Sequence, residues 1–380
     1  MKLRQVCSIQ KGGLNPQLSP DEGFAHYSIP AFDDGMRPVL ELGSAIKSQK
    51  TPIPQGAVLV SKLNPRIPRV WFVSDEQVCR RICSTEFVPF IPDTTRLLPE
   101  YLAFALRRLL AGGQITGNTS AATKSRERAK PSEIADLEIP VPPLNVQRRI
   151  VDLLARAEGI VRLRREAQQK AAELIPAVFI DMFGNPATNP RGWPMSAIER
   201  MCPVQTGATP IKEERRYYEG GTVPWVRTGE VQGRKISEVE ERITELAIAE
   251  TNCKVFPVDT ILVAMYGQGQ TRGRAGMLKT PAATNQACAA ILPSDEIDPR
   301  FLFEALNLQY DRLRAMGRGG NQANLNLGMI KELQVPCPPM DRQLEFVERS
   351  IATESILGQQ AAASEKAVAA FDALLSRAFG

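Results

Sequence analysis

Side chains able to read a base edge or neutralise a phosphate gather in four short stretches of this 380-residue chain. In the first, Tyr266, Gly267, Gln268, Gly269, Gln270, Thr271, Arg272, Gly273 and Arg274 follow an apolar run. Glutamine and arginine bond bidentately to adenine and guanine edges, arginine equally well to phosphate, and the interleaved glycines let the backbone approach a ligand. Residues 317–326 carry Asn321, Gln322 and Asn324, amides that suit base edges and also suit turns and helix caps. Earlier in the chain, Lys62, Arg66 and Arg69 lie in a proline-punctuated loop, and Lys124 and Arg126 lie in a polar, basic segment. Each stretch has an ordinary alternative as a solvated hairpin or charged face. Together they make nucleic acid the expected ligand.

Catalytic and metal chemistry have no comparable candidates. The single histidine, His26, has no hydrolase motif around it, and 267–274 lacks the lysine and hydroxyl pair of a phosphate loop. Seven cysteines without a Cys-x-x-Cys pair fit reduced, buried thiols and offer no zinc spacing. No catalytic residue and no metal ligand is therefore expected in the chain. A net charge of +5 and a pI near 8.8 favour an anionic partner only mildly. No apolar run approaches the ~20 residues of a membrane span and no signal-peptide core follows Met1, so the expected location is the cytoplasm, with no membrane partner.

What must position these loops is a stretch that occurs twice. Pro142, Pro143 and Gln147 reappear as Pro338, Pro339 and Gln343, 196 positions on (338 − 142), and Phe183-Gly184 returns as Phe379-Gly380. Downstream of the prolines the residues are mostly Ala, Leu, Arg, Glu, Gln and Lys, which lose little rotamer freedom in a helix. Alternating steps of four and three from Ile150 through Leu154, Ala157, Val161, Arg164, Gln168, Ala171, Ile175 and Val178 to Met182 trace a coiled-coil-like seam, polar in its middle. Some 38 helical residues would span roughly 57 Å, more than one small domain needs for its own core. Pro176 is expected to bend the last turns.

The remaining chain repeats loosely as well. The strand at 56–61 is mirrored by 260–264, and the proline-started helix at Pro99 is mirrored at Pro299. The expected architecture is a tandem duplication of α+β class. Two similar globular domains, 1–143 and 185–339, are separated and joined by two long helices, 144–184 and 340–380.

This pattern resembles the specificity subunits of type I restriction-modification systems. The residues carrying the resemblance are 137–143 with Gln147, 333–343, Pro224-Trp225-Val226 after Tyr217-Tyr218-Glu219-Gly220, and Asn321-Gln322-Ala323-Asn324-Leu325. Val146 and Arg342 stand before the glutamines, where that family carries an acidic residue. The resemblance implies that each globular part is a target recognition domain reading half of a split, asymmetric sequence in double-stranded DNA. The two long helices would pack antiparallel and act as spacer and as docking site for two modification (methyltransferase) subunits and for restriction (motor and nuclease) subunits, with Pro142, Pro143, Gln147, Pro338, Pro339 and Gln343 as partner contacts. It also implies no cofactor in this chain, with S-adenosylmethionine, ATP and Mg on the partners, and no catalysis here. Two other readings are a helical scaffold with inert loops and the DNA-reading part of a single-chain restriction enzyme.

Overall fold

The computed structural model describes residues 1–74, 79–113, 127–267, 269–317 and 324–380. The first half begins with β1 Cys7–Ile9, β2 Gly23–Tyr27, α1 Ile29–Asp33, β3 Val39–Leu42, β4 Lys50–Pro52, β5 Val58–Ser61, β6 Val70–Phe72, β7 Arg80–Ser84 and β8 Phe87–Pro92. Helices α2 Pro99–Ala111, α3 Pro131–Ala135, α4 Leu144–Ala171 and α5 Leu174–Phe183 complete it. The second half opens with β9 Met195–Ala197, α6 Ile198–Met201, β10 Val204–Thr206, β11 Val223–Val226, β12 Lys235–Ile236, β13 Arg242–Ile243 and α7 Glu245–Glu250. It continues through β14 Ile261–Ala264, β15 Ala275–Leu278, β16 Ala283–Thr284, β17 Cys288–Ile291, α8 Pro299–Leu308, α9 Tyr310–Met316, α10 Leu327–Lys331, β18 Gln334–Pro336 and α11 Met340–Phe379.

The duplication extends to sheet topology. One sheet of the first half has the order β1-β8-β5-β6, and its counterpart runs β10-β17-β14-β15 with β12 added at the edge. In the other sheet, parallel β2 and β7 are flanked by antiparallel β3 and β4, and the second half keeps a parallel pair, β11 and β16, with β13 antiparallel. The class is α+β, as expected from the sequence.

Both long helical segments start and end in register, at Leu144 and Met340 and at Phe183 and Phe379. Their interiors differ. α11 is one unbroken helix of 40 residues, whereas the first copy breaks between Ala171 and Leu174. Proline at 176 has no N–H to give the carbonyl of Ala172, and the aligned position of the second copy is Asp372. A bend was expected; the observed interruption is sharper. The seam read from the sequence is the covered face: Leu154 and Met182 are buried and the other seam positions except Gln168 partly so, while Leu153, Ile160 and Leu163 lie exposed.

The chain folds as two compact units, Met1–Glu166 with Ala361–Gly380, and Ala167–Gln360. This division cuts both helical segments instead of leaving them as separate spacers. In the first unit Leu154 of α4 and Leu375 and Phe379 of α11 join Val58, Phe90, Tyr101 and Leu106 in one core, and the Tyr101 and Phe379 rings lie 5.0 Å apart. In the second unit Phe179 and Phe183 of α5 pack with Phe301 of α8 and Phe346 of α11, at ring separations of 4.9 to 5.3 Å for four of the pairs and 6.0 Å for Phe183 with Phe346. Each unit thus takes the beginning of one helical segment and the end of the other, because that is where large apolar residues fall on the seam.

The repeated glutamines turn out to be internal fasteners. Gln147 is wholly buried; its Nε2 donates to the carbonyls of Arg96 and Pro142 at 2.7 Å each, and its Oε1 accepts from Leu98 N at 2.9 Å. Gln343 does the same in the second unit, donating to Pro338 O at 2.8 Å and accepting from Asp298 N at 2.9 Å. Each amide ties the start of a long helix to the start of α2 or α8. This corrects the expectation that Gln147 and Gln343 contact a partner, since their hydrogen-bonding groups are already engaged within the chain. Of the four prolines, Pro143 and Pro339 are exposed, Pro142 is half-buried and Pro338 buried. Gln147→Leu should cost roughly 1 to 3 kcal/mol by orphaning the Leu98 N–H and two carbonyls. Urea unfolding measures it, and an unchanged midpoint would refute the fastening role.

Candidate nucleic-acid interface

In the first unit the 62–69 loop joins β5 and β6 and is stitched down at several points. Lys62 N donates to Glu86 O and its carbonyl accepts from Ala129 N, while Asn64, at φ 50°, donates from its N–H to Glu127 O. Arg66 is exposed at the tip, with Nη2 3.0 Å from the buried carboxylate of Glu127. Arg69 departs from the expectation of a DNA contact: its guanidinium is bidentate to Asp33 at 2.7 and 2.9 Å and its side chain is only 10% exposed. A neighbouring acid 36 residues away in sequence has turned that charge into a buried strut. Lys124 and Arg126 lie outside the described residues.

In the second unit the loop after β14 docks on α9. Tyr310 Oη donates to Gln270 O at 2.8 Å, Arg314 Nη2 to Gly269 O at 2.8 Å, and the Arg274 guanidinium lies 4.0 Å over the Tyr310 ring. Gln270 is exposed, and Arg272 is half-buried with its Nε unpaired. Asn324 is exposed and held near the loop, because Leu325 N donates to Met265 O at 3.0 Å. The structure therefore brings Gln270, Arg272, Arg274 and Asn324 to one region; Gln268, Asn321 and Gln322 lie outside the described residues.

A second cluster escaped the sequence reading. Parallel β11 and β16 pair Trp225 with Ala283 and Val226 with Thr284, so both strands deliver their next residues, Arg227 and Asn285, to the same edge. Arg227 is about half exposed and braced by Glu241 at 2.9 Å and Glu240 at 3.6 Å. Thr228 Oγ1 bonds to Asn285 Oδ1 at 3.2 Å, and Thr209 bonds to Gln286. Two adjoining clefts, about 880 and 750 Å³, share Arg227, Glu240 and Asn285; Gln232 and Arg234 line the larger and Lys212 and Gln286 the smaller. Tyr218 and Trp225 line the smaller cleft, fixed there by Trp225 Nε1 donating to Ala208 O at 3.1 Å and Tyr218 Oη to Pro210 O at 2.7 Å. Gly207 is required beneath, where a Cβ would stand 1.9 Å from Thr284 O. The only sequence signal for this cluster was the Pro224-Trp225-Val226 run, which named the strand and not the residues it delivers.

His26 is a β2 residue with Nδ1 2.6 Å from Glu41, and burial lowers its pKa. The cysteines are free; burial pushes Cys7 and Cys83 up to about 12, far from a reactive thiolate. Among the described residues no group of His, Cys, Asp and Glu is placed to hold a metal ion, and no helix is long and apolar enough to cross a membrane.

Residues 190–349 match the type I restriction modification DNA specificity domain. The chain is 27% identical over 159 residues to the type I restriction enzyme MjaIX specificity subunit of Methanocaldococcus jannaschii, covering 40% of this chain and 36% of that subunit, little more than a third of the relative's length. It is 20% identical over 367 residues to the HindI specificity subunit of Haemophilus influenzae, covering 76% of this chain and 78% of that protein. A chain from a solved structure on complex assembly and conformational transition of the type I R-M system is similar in fold, with a TM-score of 0.67 at 20% identity over 100% of this chain and 96% of that one.

The fold defines a class, a duplicated α+β subunit in which two globular bodies share two long helical segments. Residues 190–349 match that specificity domain, and the chain is similar over most of its length to a specificity subunit of a type I restriction enzyme.

Proposed function

We propose that this chain reads a split, asymmetric sequence in double-stranded DNA, one half-site per unit, and docks modification and restriction subunits through its helical segments. The observation that carries the reading is the repeated fastening of two diverged domains. Gln147 and Gln343 anchor corresponding helix starts, while the loops of the two units differ in sequence and charge. A shared mount with different tips is what two readers of different half-sites require. In the second unit Arg227, Asn285 and Gln286, together with Gln270, Arg272 and Asn324, supply guanidinium and amide groups for guanine and adenine edges. Arg66 and Lys62 are the corresponding candidates in the first. S-adenosylmethionine, ATP and Mg belong to the partner subunits in this reading.

Methylome sequencing of a host carrying the chain with its cognate modification subunit tests it. A two-part motif with an unread gap is expected; absence of any motif would favour the scaffold reading. Arg227→Ala should relax one base position in one half-site, at a cost of about 1 to 3 kcal/mol in binding, if it reads a guanine. Uniform weakening with a salt slope reduced by about one would make it a phosphate contact. An unaltered motif, affinity and salt slope would remove Arg227 from the interface.

A further inference from the structure

The duplication provides an internal comparison at one buried position. In the first unit Phe104 of α2 meets Phe371 of α11, ring centroids 6.4 Å apart, and Arg107 pairs with Glu158 of α4. With the offsets that relate Pro99 to Pro299 and Phe183 to Phe379, the second unit has Glu304 and Ile175 in place of the two rings and Asn307 in place of Arg107. Glu354, the counterpart of Glu158, takes its cations from elsewhere: Lys235 of β12 and, at 3.8 Å, Arg300 of α8. Where the rings would stand there is a cavity of about 480 Å³, lined by α5, α8, α11 and the β12 region.

Its polar lining is unbalanced. Lys235, Arg274 and Arg300 face it with Glu354 and Glu304 as the only carboxylates. Glu304 is 9% exposed and has no hydrogen-bond partner among the described residues; Arg300 Nη1 is buried without one. Burial, then the nearby Glu354 charge, pushes the Glu304 carboxyl up to about 7. In its neutral form it is a donor with nothing to receive its proton, and the three cations then outnumber the one remaining anion. An arginine N–H without a hydrogen-bond partner, beside a buried carboxyl and two further cations, calls for an acceptor bearing negative charge.

We infer that this cavity, present in the second unit at the place of the Phe104–Phe371 pair, binds a small oxyanion, held by Arg300 and Lys235 beside the buried Glu304 side chain. The site lies between α5, α8 and α11, and of the candidate DNA-contacting residues Arg274 alone lines it.

Calorimetric titration of the full-length protein with sulfate, whose charge is constant from pH 6 to 8, tests this at fixed ionic strength, with acetate as a second probe. Saturable binding is expected at pH 6, weakening about tenfold per pH unit above 7 as Glu304 ionises. Preference for sulfate or for acetate assigns a tetrahedral or a carboxylate guest. Glu304→Gln should still bind but lose the pH dependence, since the amide keeps a donor. Ile175→Phe with Glu304→Phe, which restores the first unit's ring pair, should abolish binding in a protein that still unfolds cooperatively. Failure of both probes to saturate, retained pH dependence in Glu304→Gln, or unchanged binding in the double phenylalanine variant would each overturn the assignment.

Discussion

Phe179→Ala is expected to lower the unfolding free energy of the second unit by about 3 to 5 kcal/mol, the range for emptying a phenylalanine site in a closed core. Phe179 is 0% exposed, and the rings of Phe183, Phe301 and Phe346 stand 5.1, 5.1 and 5.3 Å from it. These partners come from three different helices, so the neighbours cannot collapse into the space without moving a whole helix. Ile180, next in sequence but exposed, is the control, and Ile180→Ala should cost under about 1 kcal/mol. Urea unfolding followed by fluorescence of the tryptophans, including Trp193, whose ring lies 6.0 Å from Phe183, reads the difference. Equal losses for the two variants would mean that α5 is not part of the second unit's core.

The second large effect depends on pH. The Glu304 carboxyl rises from an ordinary 4.5 to about 7 in the folded chain. Between those values the unfolded chain has released this proton and the folded chain still holds it. Folding stability therefore falls as pH rises through the interval and levels off above about 7. The full gap corresponds to roughly 3 kcal/mol. Glu304→Gln removes the titration, so the variant should match the natural protein near pH 4.5 and exceed it by up to about 3 kcal/mol at pH 8. Unfolding curves at several pH values check it; parallel stability profiles for the two proteins would show that Glu304 ionises freely in the fold.

Local chemistry made much of the architecture legible. Proline at 99, 143, 299 and 339 marks where helices begin, and the step-of-three-and-four seam from Ile150 to Met182 traces the face that becomes covered. Because the helix-start signals recur 200 positions apart at Pro99 and Pro299 and 196 apart at Pro143 and Pro339, the duplication and the common ends of the helical segments could be read without coordinates. The break before Pro176 was legible as a bend, since a missing N–H is a property of one residue.

Long-range pairing was not legible. Gln147 was expected to contact a partner subunit, and instead it bonds to backbone groups 49 and 51 positions away. Arg69 looked like one more cation of a basic loop until Asp33 was found opposite it. Arg227 and Asn285 are 58 residues apart and meet only because β11 and β16 pair in parallel. The Glu304 cavity arises from substitutions in two separate helices, each unremarkable alone.

By itself, then, the sequence determined the class, the duplication and where the helical segments start and stop, because these follow from backbone constraints and from periodicity within a few residues. Tertiary structure alone decided which charges are spent inside the chain and which face outward. It also decided that each helical segment is divided between two cores. Those outcomes depend on which distant groups meet, and a hydrogen bond or ion pair between them leaves no period, spacing or composition in the linear chain.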